Sequence, residues 1–141
     1  MIRVVIDTNI VVSAMLRSDG LPEAVFNLAI GHREIRMYFS EPVMAEYEEV
    51  LRRPRFDIQP DKVTNALARI RETGLVVTPT VSVTAARDPD DNIFLECAQS
   101  AEAEYLVTGN LKDFPRVWLT TRIVTAREFM EVITDAQREP S

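Results

Sequence analysis

The chain has 141 residues, 46% of them apolar, with a formal net charge of −6 and a single cysteine, Cys97. That length suits one hydrophobic core, so residues 1–141 are expected to form one domain, and the composition excludes a disordered or disulfide-stapled chain. The acidic balance argues against a simple nucleic-acid-binding module, which is ordinarily basic, but not against an enzyme whose carboxylates are occupied by metal ions. In chain order, a strand is predicted over 2–6, followed by a helix that starts after Thr8 or Asn9 and ends near 17. A second helix covers 21–31 and a short strand 36–39. Ser40 caps a third helix with Pro42 in its first turn, which runs to about 53 and stops at Pro54. A fourth helix over 61–73 is closed by Gly74, and a strand follows over 75–78. Asp88 and Pro89 open a helix to about 103, then a strand over 105–108 and a last short strand within 118–124. Thr125 opens the final helix, with Glu128 three residues on as a capping box.

Strands alternating with longer helices imply a parallel sheet covered by helices, with right-handed crossovers and a crevice at the carboxyl ends of the strands. The opening MIRVVIDTNIVVSAML is interrupted by Asp7, Thr8 and Asn9, and no run of 18 apolar residues occurs. Neither a signal peptide nor a membrane span is predicted, and a cytoplasmic location is expected.

Acids stand at four places where chemistry is plausible. Asp7 ends the apolar strand IRVVI, where a charge is costly unless paired or bound to a metal; it also suits the cap of the next helix. Asp91, in DPDDN, shares a helical arc with Phe94, Leu95 and Ala98 and so turns toward the sheet, with Asp90 near the edge of that arc. Acids at the start of a helix are favoured in any case. In the third helix Glu46 and Glu48 flank the stripe of Val43, Met44, Tyr47, Val50 and Leu51 on opposite sides, and the wheel does not choose between them. In TGNLKDF, Thr108, Asn110 and Asp113 reach either the crevice or one another in an ordinary polar turn. Carboxylates converging on one strand-end crevice repel one another, a repulsion that a hard divalent cation such as Mg²⁺ relieves. Of the basic residues, 14 are Arg and only Lys62 and Lys112 are Lys. Arg52, Arg53 and Arg55, with Arg87 near the Asp91 helix, are the candidates for phosphate contacts. Cys97 lies on an apolar helix face and is expected in the core. His32 is the only histidine, which excludes a histidine-pair ribonuclease mechanism.

Taken together, IDTNIVVSAML, Glu46 in the third helix, DPDDNIFLECA and TGNLKDF resemble the PIN-domain family. LRRPRF resembles its bacterial toxin subgroup, the VapC-like ribonucleases. The resemblance implies a three-layer α/β/α fold around a five-stranded parallel sheet, and an RNA-cleaving site that binds Mg²⁺ or Mn²⁺. It implies Asp7, Glu46, Asp91 and Asp113 as that site. Asp7, Asp91 and Asp113 would hold the metal, and Glu46 would orient or deprotonate the attacking water. Thr8 or Asn9, together with Thr108, match supporting polar positions. Many members carry Asp where this chain has Asn110, which weakens a second metal position; Asp88 is a partial substitute. Expected partners are RNA, a small antitoxin protein and a second copy of the chain.

Other readings compete. Haloacid-dehalogenase phosphatases also place an acid after strand one, but they need another two residues later, where this chain has Asn9. A receiver-like domain would need an acid pair at that strand end. A PIN fold that binds RNA or protein without cutting is the remaining alternative, and Asn110 is the residue that favours it.

Overall fold

The computed structural model describes residues 1–138; the last three residues of the expected domain, 139–141, lie outside them. The chain forms β1 (Ile2–Ile6), α1 (Thr8–Leu16), α2 (Leu21–Gly31), β2 (Ile35–Phe39), α3 (Glu41–Leu51) and α4 (Pro60–Thr73). β3 (Leu75–Val76), α5 (Asn92–Ala101), β4 (Tyr105–Val107), β5 (Val117–Trp118), β6 (Thr121–Val124) and α6 (Ala126–Arg138) follow. The strand order is β3-β2-β1-β4-β6-β5. The first four pairings are parallel and the last, β5 with β6, is antiparallel.

Val4, Val5 and Ile6 point alternately to the two faces of the sheet, and all three are fully buried, so both faces are covered. The chain moves outward from β1 to β3 and then returns past β1 to β4. Right-handed crossovers therefore put α5 on the face opposite α2 and α4. α5 packs on β1, β2 and β4, while α2 packs on β2 and touches α6, which covers β4 and β6. This is the expected three-layer arrangement. The reversal lies between β1 and β4, and the ends of those two strands open the crevice. α3 contacts both α1 and α5, with its Tyr47 ring 6.4 Å from that of Phe94. No helix among the described residues is long and apolar enough to cross a membrane.

Several boundaries differ from expectation. The sheet has a sixth strand, because the segment predicted as one strand turns back on itself at Leu119, whose φ of 54° is left-handed. Leu occupies that conformation rather than Gly, so no turn residue marks the reversal. The third helix ends at Leu51, and a 3-10 turn over Pro54–Phe56 follows. The helix expected from Asp88 opens instead as a 3-10 turn over Pro89–Asp91, because the Asp88 side chain accepts from the Asp90 amide at 3.0 Å and tightens the first turn. The third strand is cut to two residues. The capping box at Thr125 forms as expected: the Glu128 carboxylate accepts from the Thr125 amide at 2.9 Å, and the Thr125 hydroxyl accepts from the Glu128 amide at 3.1 Å.

Gly74 joins α4 to β3 where backbones meet. A Cβ there would lie 2.8 Å from the Ile70 carbonyl oxygen and 2.9 Å from that of Met37, neither of which is a side chain able to swing away. Gly74→Ala is expected to destabilise the fold by roughly 1–3 kcal/mol. A urea midpoint equal to that of the wild type would show that α4 shifts freely against β2.

Candidate active site

The buried run of β1 ends at Asp7. Its amide donates to the Val107 carbonyl at 2.9 Å, which carries the β1–β4 pairing one residue past the strand. Its carboxylate then caps α1, Oδ1 accepting from the Thr8 amide at 2.7 Å while Oδ2 accepts from the Thr108 hydroxyl at 2.7 Å. Capping and a place in the crevice are therefore both true of Asp7. Only 5% of Asp7 is exposed, and no ion pair reaches it among the described residues. Burial pushes its pKa up to about 6, although the Thr108 and Thr8 hydrogen bonds oppose the shift; the charges of Glu46 and Asp113 raise it further.

Around Asp7 opens a crevice of about 560 Å³, lined among others by Glu46, Asp88, Asp90, Asp91 and Asp113. Glu46 faces it from α3, half-buried, within 3.4 Å of the Thr8 hydroxyl. Burial raises its pKa, with the Thr8 hydrogen bond opposing. Glu48 turns away to Arg52 at 3.1 Å, so of the two flanking acids Glu46 is the one in the crevice. Asp91 stands at the entry to α5. Burial pushes its pKa up to about 7, helped by the charges of Asp7, Asp88, Asp113 and Glu46. Asp113 accepts from the Asn110 side-chain amide. The Asn110 backbone amide donates to Thr108 Oγ1 at 3.0 Å, and Asn9 Oδ1 accepts from the Gly109 amide at 2.9 Å. Thr8, Asn9, Thr108 and Asn110 thus all fasten the acids or the turn that carries them.

The arginines divide. Arg53 and Arg55 line the crevice, whereas Arg52 and Arg87 are not among its lining residues. Arg52 is held between Glu48 and the Thr64 hydroxyl, each at 3.1 Å. Arg87 meets the site through its backbone, its amide donating to the Asp113 carbonyl at 2.8 Å. Cys97 is fully buried, and burial pushes its thiol up to about 12, which leaves it inert. His32 ends α2, away from the crevice, with Nδ1 accepting from the Glu34 amide at 3.0 Å.

Three contributors escaped the sequence reading. The Tyr47 hydroxyl donates to the Ile6 carbonyl and so ties α3, the carrier of Glu46, to the strand end that carries Asp7. Tyr47 stands in the apolar stripe, where only its hydroxyl, which needs a partner when buried, hinted at more than packing. Ser13 lines the crevice one helical turn after Asn9, a spacing visible in the sequence. Phe56 lines it too. A lone aromatic beyond a helix end gives no periodic signal.

Among the described residues no group of three or more acids stands close enough to grip one ion directly. The donor set nevertheless fits a hard divalent cation. Mg²⁺ is usually bound by one or two carboxylates and keeps several waters, through which the other acids can act.

The sequence model of the family described as PIN domain matches residues 3–112, more than half of the chain. That span includes Asp7, Glu46 and Asp91 and stops one residue before Asp113. A protein of Methanocaldococcus jannaschii described as uncharacterized is similar at 27% identity over 112 residues, covering 77% of this chain and 71% of its own length. The reversal of strand order between β1 and β4, the acids gathered at its mouth and the extent of the family match agree: the chain belongs to the PIN domain family.

Proposed function

We propose that the chain is a ribonuclease that needs Mg²⁺ or Mn²⁺ to hydrolyse RNA phosphodiester bonds. The observation that carries this reading is the gathering of Asp7, Glu46, Asp91 and Asp113 on one crevice with no ion pair to Asp7 or Asp91 among the described residues. Such a cluster is unfavourable for a fold alone and suited to a site that is completed by a cation.

Asp7, Asp91 and Asp113 would hold the ion, directly or through its waters. When bound, a hard divalent ion lowers the pKa of water and offsets negative charge at the phosphate. The remaining work falls to the chain. Thr8 and Thr108 fix both oxygens of Asp7, so the carboxylate cannot rotate out of place. Asn110 does the same for one oxygen of Asp113. Among the described residues the Glu46 carboxylate has one hydrogen bond, the long 3.4 Å contact with Thr8, and burial raises its proton affinity, which suits it to orient the attacking water and take its proton.

The resemblance to VapC-like toxins supports a place in a toxin–antitoxin pair, with a small antitoxin protein covering the crevice in the cytoplasm. Two copies of the chain would present two such crevices. Incubating the purified chain with RNA in Mg²⁺, Mn²⁺ or EDTA tests the activity; cleavage is expected with either metal and none in EDTA. RNA binding that is indifferent to EDTA and never leads to cleavage would instead identify a binding module, the reading that Asn110 keeps open.

A further inference from the structure

One short segment supplies both cations that line the acidic crevice among the described residues: Arg53, just before the 3-10 turn over Pro54–Phe56, and Arg55 within it. Their states differ. Arg53 is held by both oxygens of Glu49, at 3.2 and 2.8 Å. Arg55 makes no ion pair among the described residues, and its guanidinium instead lies over the Phe56 ring, 4.7 Å from the centroid. The six acids of the crevice would draw an exposed arginine toward them, yet this one is stacked with its donors unspent. The turn is fixed by its own backbone: the Phe56 amide donates to the Arg53 carbonyl and the Asp57 amide to that of Pro54, each at 3.1 Å. Phe56 packs on the core and also borders the crevice.

We propose that Arg55 and Phe56 form a nucleotide subsite beside the acids, in which Arg55 meets one phosphate and the Arg55–Phe56 stack receives one unpaired base of the RNA. The inference rests on the ribonuclease reading. Arg55 is the cation of the crevice free to meet a phosphate, which the acids by themselves repel. A planar guanidinium on an aromatic ring also offers a face to a base. Bases in a duplex are covered on both faces by their neighbours, whereas an unpaired base can stack on a side chain.

The test measures binding of a labelled single-stranded oligoribonucleotide, and of the same strand in a perfect duplex, with Ca²⁺ replacing Mg²⁺. The wild type is expected to prefer the single strand. Phe56→Leu should weaken single-strand binding about tenfold and leave duplex binding unchanged, and Phe56→Tyr should restore it. Arg55→Gln should lower the slope of log affinity against log salt by about 0.7. A Phe56→Leu protein that binds as wild type, or equal binding of the two RNA forms, overturns the subsite. Failure of the ribonuclease reading looks different: binding that depends on Phe56, but no cleavage in Mg²⁺ or Mn²⁺.

Discussion

Replacing Asp7 by Asn is expected to reduce RNA cleavage by at least about a hundredfold and, at the same time, to make the metal-free protein more stable at pH 8. The first effect follows from removing the most buried of the crevice acids, held by two donors at 2.7 Å. The second follows from its protonation. Burial lifts the pKa of Asp7 from 3.8 to about 6. The folded state therefore holds this proton more tightly than the unfolded state does. The stability it contributes is complete below the ordinary value and is lost as the pH rises through about 6. Above that, the buried carboxylate costs on the order of 3 kcal/mol relative to its protonated form. Asn carries no charge at any pH. Its oxygen can still accept from the Thr8 amide, and its amide can donate to Thr108. The net gain at pH 8 is expected to be about 1–2 kcal/mol, seen as a higher Tm in EDTA. A lower Tm would mean that the charge on Asp7 serves the fold rather than the site.

The same balance governs the wild type. With EDTA present, its Tm should fall between about pH 4 and pH 7, because Asp7 and Asp91, pushed up to about 6 and about 7, both ionise across that window. Mn²⁺ should reverse the loss at pH 8. At a hundredfold excess over its Kd, an ion that binds only the folded state stabilises it by about 2.7 kcal/mol. In Asp7→Asn the shift should largely vanish, because a neutral amide is a poorer ligand for a hard cation. A metal-free Tm that is level from pH 5 to pH 8 would show the acids to be well solvated.

How much of this was legible depends on the residue. Asp7 was readable because an acid closes a run of five strand residues, IRVVI, that are otherwise largely buried. The helical periodicity places Asp91 correctly even though α5 begins one residue later, since its 3-10 turn leads directly into that helix. Glu46 and Glu48 were equivalent in the pattern. Long-range packing separates them: Arg52, held at its other end by Thr64 of α4, takes Glu48 away from the crevice. The arginine cluster reads as one unit in sequence, but the end of α3 at Leu51 and the turn that follows send Arg52 outward and leave Arg53 and Arg55 on the crevice. β5 was invisible because its reversal uses Leu119 rather than a residue that favours positive φ.

Digesting RNA in water enriched in heavy oxygen and weighing the fragment ends shows whether water activated at these acids cleaves it. If so, every cut carries the label in a linear phosphate monoester and appears only with Mg²⁺ or Mn²⁺. Fragments that end in an unlabelled cyclic phosphate, or cuts that persist in EDTA, would mean that the phosphodiester is broken by other chemistry than these four acids support.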